Sequence, residues 1–291
     1  MNNTRRPSPG RFAKYSSPIA APLRVVSCGP ATSWVLKASW FIPRLMRMRL
    51  IYKRPSEAYA VSGLRPADSY LDQDQLLSIA RTSGADAVHP GYGFLSENAG
   101  FAQRVLDAGL TFIGPDPSWL DRMGDKVKAR RIMAEQGMPV FDGSDFITDM
   151  AAAREVAQTI GFPLVVKPSG GGGGMGMQVV EQMDALEPAL TQAQTIAAAA
   201  FGIRDVYLER WIAQPRHIEY QILADEHGNA MHLYERECSI QRRHQKLIEE
   251  SPAPGIDASV LREQAERGAE ICARLGYNNV GTLETLYSDG S

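Results

Sequence analysis

The chain has 291 residues, 44% hydrophobic and 22% charged, with a formal net charge of −2. That is the make-up of an ordinary globular protein of about two domains, and no apolar run reaches the roughly 18 residues of a membrane span. The charge is divided unevenly: residues 1–56 hold eleven Lys/Arg and no Asp or Glu, whereas residues 57–291 hold 33 acids against 20 Lys/Arg. The body is therefore not a nucleic-acid binder by charge. Three scattered cysteines (Cys28, Cys238, Cys272) without metal-ligand spacing point to a reduced, intracellular setting. The acid-free head reads as a mitochondrial transit peptide or a basic arm. Its segment 34–43, WVLKASWFIP, is too apolar for a solvated arm.

From residue 68 the pattern becomes regular. Apolar positions in 71–83 recur near helical spacing, with Gly84 as the cap. Residues 85–88 read as a short strand, 89–94 (HPGYGF) as a loop, 96–108 as a helix and 110–115 as a strand ending in a turn. This alternation predicts a parallel α/β sheet. Residues 117–136 read as one helix and 151–160 as an alanine-rich helix. A β run over 162–167 then enters five consecutive glycines at 170–174, and another, 178–180, leaves them. A helix over 186–200, a strand over 206–210 and an alternating strand over 217–224 follow. A turn at 225–229 leads to a returning strand over 230–235. A helix over 258–275 and a strand over 281–287 complete the pattern, which makes this second part α+β.

The glycine loop carries the strongest chemical signal. Without Cβ atoms, its backbone N–H groups can lie against anionic oxygens, and Lys167 stands at its mouth. A flexible linker needs neither tight β flanks nor a preceding lysine. A P-loop needs Gly-Lys-Ser/Thr and then a helix, and a dinucleotide fingerprint also needs a helix; here a β segment follows. The loop reads as a lid over nucleotide phosphates.

ATP further requires cations, an adenine slot and carboxylates for Mg²⁺. Lys126 and Lys167 are candidate cations. Glu209, beside the Trp211-Ile212-Ala213 turn, is a candidate acceptor for an amino group. His217, Gln241 and His244 are candidate donors, and Glu284 is a candidate metal carboxylate. The charged run 235–246 (ERECSIQRRHQK) reads either as a solvated face or as part of this site.

Six stretches together have a family likeness: GADAVHPGYGFLSENAGFA (84–102), MGDKVKAR (123–130), FPLVVKPSGGGGGMGM (162–177), QPRHIEYQILAD (214–225), ERECSIQRRHQKLIEESPAP (235–254) and GYNNVGTLETLY (276–287). They closely resemble the biotin carboxylase family, the ATP-grasp components of acyl-CoA carboxylases and of pyruvate carboxylase. The glycine loop alone would indicate only ATP-grasp; another such ligase, for example a carbamoyl-phosphate synthase, should lack QRRHQK followed by EESPAP.

The resemblance implies a partial Rossmann-like pre-ATP-grasp domain over 57–122 and an incomplete ATP-grasp domain over 123–291, after a non-matching head over 1–56. It implies that Lys126, Lys167, Gly172, Gly173, Gly174, Glu209, Arg210, Trp211, Ile212, His217, Gln241 and His244 bind ATP. Lys246 would hold bicarbonate and form the catalytic set with His244, and Glu284 would ligate Mg²⁺ or Mn²⁺. The implied reaction is attack of bicarbonate on the γ-phosphate to give carboxyphosphate, whose CO₂ passes to biotin on a carrier protein. Implied partners are bicarbonate, the biotinylated carrier, a carboxyltransferase subunit and a second copy in a homodimer, with no nucleic acid or membrane. The implied location is cytoplasmic, or mitochondrial if the head is a transit peptide. The final acyl acceptor is chosen elsewhere.

Three departures qualify the likeness. The family continues past residue 291 with a second metal Glu, an Asn ligand, a catalytic Arg and a Glu base, so a catalytically incomplete ATP-binding remnant is the alternative reading. Unpaired strand edges in such a chain favour poor solubility. Met175 stands where the family usually carries Arg or Lys in the lid. The head does not match, yet residues 14–21 and 34–55, back-translated and shifted by one base, permit family-like strands. Most of the head is therefore expected to be out-of-frame translation of the family's own N-terminus, which the gene's nucleotide sequence decides.

Overall fold

The computed structural model describes residues 24–27, 37–43, 57–62, 65–91, 93–169, 174–242 and 245–288. It divides into two compact units, Met1–Gly91 and Tyr92–Ser291.

In the first unit, β1 (Arg24–Ser27), β2 (Lys37–Pro43), β3 (Glu57–Val61) and β4 (Ala87–His89) pair in parallel in the order β3-β2-β1-β4. The predicted parallel sheet is present, and two of its strands come from the basic head. The segment too apolar for a solvated arm supplies β2. Residues 14–21, the other shifted segment, lie outside the described residues. Helix α1 (Gln73–Thr82) starts at Asp72, whose carboxylate accepts from the Gln75 N–H, and buries Leu76, Leu77 and Ala80.

The second unit opens with α2 (Ala99–Asp107), capped by the Asn98 side chain, and a two-residue strand β5 (Thr111–Phe112). Residues 117–136, predicted as one helix, form two. α3 (Pro117–Gly124) ends, Asp125 adopts extended backbone angles, and α4 (Lys126–Glu135) begins. The Asp125 carboxylate accepts from the Val127 and Lys128 N–H groups, satisfying donors that a continuous helix would have paired.

A three-stranded antiparallel sheet, order β7-β6-β8, combines β6 (Leu164–Pro168), β7 (Gln178–Val180) and β8 (Val206–Arg210). Helices α5 (Met150–Ile160) and α6 (Leu186–Phe201) supply Ala153, Ala157, Ile160, Leu186, Leu190 and Ala193 to a core with Leu164, Val166, Val206 and Leu208. The strap 142–147 runs along β8: Ser144 and Ile147 donate N–H bonds to the Leu208 and Val206 carbonyls at 2.8 and 2.9 Å.

A four-stranded antiparallel sheet, order β11-β10-β9-β12, follows: β9 (Arg216–Ala224), β10 (Ala230–Arg242), β11 (Gln245–Glu250) and β12 (Asn279–Tyr287). The predicted turn forms around Asp225, whose Oδ1 accepts from the N–H groups of His227 and Asn229, each at 2.9 Å. Strand β10 runs seven residues past its predicted end at 235. It absorbs a register shift after His232, where Tyr234 takes φ +62°, as at a bulge. Helix α7 (Ala258–Leu275) packs Leu261 and Ala265 against Ile218 and Tyr220. The even positions of β9 thereby become core, and His217, Glu219 and Gln221 fall on the other face.

Candidate active site

Alternation also decides what leaves the core of the smaller sheet. Leu164, Val166, Val206 and Leu208 face the helices, so Lys167 and Glu209 lie on the opposite face. There Glu209 sits between two cations. Its Oε1 accepts from Arg130 Nη1 at 2.8 Å and its Oε2 from the Lys167 ammonium. The second guanidinium nitrogen of Arg130 donates to the Ser144 carbonyl, and its Cζ lies 5.7 Å from the Tyr207 ring centroid. Burial and the Glu209 charge raise the Tyr207 phenol well above its ordinary range, so the ring stays neutral beside this pair.

Beyond β8 the chain is fastened at the predicted hinge. The Arg210 guanidinium bonds Asp142 Oδ2 at 3.1 and 3.2 Å and the Ile160 carbonyl at 2.7 Å. The Trp211 N–H donates to the Pro163 carbonyl at 3.2 Å. Trp211 and Ile212 are half-buried. The Glu209 and Arg210 side chains are thus committed to protein partners, which leaves the hinge to offer its backbone and the Trp211 and Ile212 side chains. Lys126 stands one turn before Arg130 on α4. Gly174 adopts φ +69°, a left-handed conformation suited to glycine, and Met175 beside it is 55% exposed. Gly172, Gly173 and His244 lie outside the described residues.

On the larger sheet the sign is reversed: Lys246 sits between two carboxylates. Its ammonium bonds Glu219 Oε2 and, at 2.7 Å, Glu284 Oε1. Glu219 and Glu284 are register partners on β9 and β12. The other Glu219 oxygen accepts from Arg236 Nε at 2.7 Å. Burial works against charge on both Glu219 and Lys246, but their mutual bonds prevail. Glu219 is held below the ordinary glutamate range, with Arg236 assisting, and Lys246 above the ordinary lysine range, with Glu284 assisting.

Cys238 lies beside this group, and burial and the Glu219 carboxylate push its thiol up to about 12. His217 donates its backbone N–H to Ser239 Oγ at 3.0 Å, and the Gln241 side-chain amide donates to the Cys238 carbonyl at 2.8 Å. The charged run is no solvated face at its start: Glu235 and Glu237 are buried. The Glu235 carboxylate accepts from the Ala253 N–H at 3.1 Å, and Glu237 accepts from Arg216 Nε at 2.9 Å.

Arg130, Glu219 and Arg236 were not singled out from the sequence. Arg130 follows Lys126 at i+4, and Glu219 follows His217 at the same-face spacing of a strand; both periodicities were readable. A hard divalent cation takes carboxylate oxygens and often keeps water and substrate phosphates as its other ligands. Glu284, 66% exposed at its side chain and with one oxygen on Lys246, fits one such position. Glu219, Cys238 and Glu249 also bring ligand atoms within 4.8 Å of one another. That set suits a hard cation poorly, because Glu219 is already paired to Lys246 and Arg236 and the thiol stays protonated.

Residues 125–291 match the family described as carbamoyl-phosphate synthase L chain, ATP binding domain, and residues 43–120 match biotin carboxylase, N-terminal domain. This chain belongs to the biotin carboxylase family. Among its relatives, a biotin carboxylase of Haemophilus influenzae is 48% identical over 236 residues, covering 80% of this chain and 53% of that one. A biotin carboxylase of Allochromatium vinosum is 50% identical over 231 residues, covering 78% and 51%. A crystal structure of Campylobacter jejuni biotin carboxylase in a β,γ-ATP complex is 36% identical and covers 91% of this chain and 62% of that one, with a TM-score of 0.85. The biotin carboxylase domain dimer of Hydrogenobacter thermophilus 2-oxoglutarate carboxylase, in complex with MgADP, ADP and bicarbonate, is 34% identical with the same coverages and a TM-score of 0.84. The chain spans about half the length of these two biotin carboxylase sequences. Among the described residues, no helix is long and apolar enough to cross a membrane.

Proposed function

We propose that this chain carries the nucleotide- and bicarbonate-binding part of a biotin carboxylase, the ATP-dependent carboxylation of biotin on a carrier protein. The observation that supports this reading is the pair of opposed charge clusters on the two antiparallel sheets. Arg130 and Lys167 share one carboxylate, Glu209, and so leave a cationic surplus suited to phosphate. Lys246 keeps its proton between Glu219 and Glu284, a positively charged donor for bicarbonate.

In this reading the 209–212 hinge receives adenine, Lys126, Lys167 and the glycine lid with Gly172, Gly173 and Gly174 receive the phosphates, and His217, Gln241 and His244 add polar contacts. Glu284, alone among the described residues, is assigned to Mg²⁺ or Mn²⁺, an ion that would neutralise charge developing on the phosphates. Lys246 orients bicarbonate for attack on the γ-phosphorus, which breaks the β,γ-phosphoanhydride bond, releases ADP and gives carboxyphosphate. Carboxyphosphate then gives up CO₂ to biotin and leaves phosphate, which takes the biotin N–H proton. Such transfer depends mainly on positioning and charge neutralisation. Met175 lacks the cation expected in the lid, so lid closure on ATP is weakened.

The domain reading accompanies this: a head over 1–56, a partial pre-ATP-grasp domain over 57–122 and an ATP-grasp domain over 123–291. A biotinylated carrier, a carboxyltransferase and a second copy of the chain are the partners. The activity is placed in the cytoplasm, and import by isolated mitochondria would move it there. The test is ATP hydrolysis by the full chain with and without bicarbonate and free biotin. Hydrolysis that requires bicarbonate and rises with biotin supports the reading. ATP binding without turnover identifies a binding remnant, and absence of ATP binding overturns the assignment.

A further inference from the structure

We propose that Arg130 is the positioning residue that allows Lys167 to leave Glu209 for a nucleotide's phosphates. The inference rests on the nucleotide-site reading above, which counts Arg130 only toward the charge surplus beside Glu209 and gives it no part in binding.

Glu209 has two oxygens and two cations. Arg130 holds Oε1 at 2.8 Å and Lys167 holds Oε2, with side-chain exposures of 16% for Arg130 and 24% for Lys167. The two cations are not equivalent. The guanidinium is fixed in four directions: by Glu209, by the Ser144 carbonyl, by the Tyr207 ring 5.7 Å away and by the close approach of Gly143. A Cβ at Gly143 would fall 2.1 Å from Arg130 Nη1 and 2.6 Å from Cζ, so glycine there leaves the space that the guanidinium fills. The strap holding Gly143 and Ser144 is itself fixed to β8. Leu208 donates its N–H to Ser144 Oγ at 2.9 Å, and Arg210 donates its N–H to the Asp142 carbonyl at 2.9 Å. Lys167, by contrast, is a compact ammonium on a flexible stem, with Glu209 its one ion-pair partner among the described residues.

The consequence is a division of labour. When polyphosphate enters, Lys167 can turn to it, while Arg130 keeps the Glu209 carboxylate neutralised in its partly buried place. Without Arg130, Lys167 would be the one counter-charge of Glu209 among the described residues, and its departure would strand that carboxylate. The penalty falls on phosphate binding and leaves the adenine contact largely untouched.

The experiment measures ATP and adenosine binding to the full chain by titration calorimetry, for the native protein, Arg130→Gln, Arg130→Lys and Gly143→Ala. Arg130→Gln is expected to weaken ATP about tenfold, the penalty of leaving the Glu209 carboxylate without a charged partner when Lys167 turns to phosphate, while adenosine changes less than about twofold. Arg130→Lys restores charge without the fork and should recover part of the ATP affinity. Gly143→Ala displaces the guanidinium while retaining it in the sequence, and should reproduce the ATP-selective loss; it also serves if Arg130→Gln fails to fold. Equal losses for ATP and adenosine, or no loss for either, overturn the proposal. Failure of the native chain to bind ATP instead overturns the nucleotide-site reading on which it rests.

Discussion

On the three-stranded sheet one carboxylate, Glu209, lies between two cations; on the four-stranded sheet one ammonium, Lys246, lies between two carboxylates. The smaller cluster has a cation to spare. The larger would have an anion to spare, but Arg236 takes the second oxygen of Glu219 and balances it. The exposures differ as well: the shared Glu209 side chain is 20% exposed, whereas Glu219 is 6% and Glu284 66% exposed. In the smaller cluster the central carboxylate is the anchor. In the larger, the anchor is one flank, and the other flank is open to solvent. Stability and ligand binding should therefore separate along different residues in the two sheets.

The largest stability effect is expected at Glu219. Among the described residues, Glu219→Gln leaves Lys246 with the Glu284 carboxylate and Arg236 with Gln221 Oε1 at 3.2 Å. Removing one partner of a fully buried pair costs roughly 3–5 kcal/mol, and with both cations about a third exposed we expect roughly 2–3 kcal/mol, read from the midpoint of guanidinium unfolding. Glu209→Gln should cost less, about 1–2 kcal/mol, because its site is more open and the Arg130 contacts to Ser144 and Tyr207 survive. A Glu209 variant as damaging as the Glu219 variant would invert the comparison.

Acid should expose the same asymmetry. The folded chain holds Glu219 below its ordinary value despite burial, through Lys246 and Arg236, and holds Glu237 below it chiefly through its Arg216 bonds. A depressed carboxylate contributes stability that is complete above the unfolded value, about 4.3, and is lost as pH falls through the lower folded value. Guanidinium midpoints should accordingly fall as pH drops below about 4, and Glu219→Gln should make that fall shallower. An unchanged slope in the variant would remove Glu219 from the acid transition.

These predictions depend on residues the sequence marked unevenly. The flanks of the glycine loop were readable because short apolar runs bounded by proline and glycine define strands locally. Lys167 stood out because it adjoins the glycine loop, whereas Lys246 was marked only through the family likeness of the run that ends in it. The break at Asp125 was not readable: an aspartate is tolerated within a helix, and only its actual backbone angles turn it into a cap. The inner part of the 235–246 run was obscured for a related reason. Glu237 can be buried only because Arg216 lies across the sheet, and such compensation leaves no local trace. Arg130 was hidden by the same distance, since its partner Glu209 is 79 residues away.

The smallest stability effect belongs to Glu284, and it tests the comparison from its open side. The Glu284 side chain is 66% exposed and reaches Lys246 at 2.7 Å, while Lys246 keeps Glu219. Exposed pairs contribute about 0–1 kcal/mol, so Glu284→Gln should shift the unfolding free energy by less than about 0.5 kcal/mol. Its effect should appear instead in divalent-cation dependence: the gain in ATP affinity on adding Mg²⁺ should shrink in Glu284→Gln and persist in Glu219→Gln wherever the latter remains folded. A carboxylate that anchors the fold should move stability first, and one that waits at the surface should move ligand linkage first. If Glu284→Gln instead unfolded the chain as readily as Glu219→Gln, the two flanks of Lys246 would be equivalent and the open side would have no separate role.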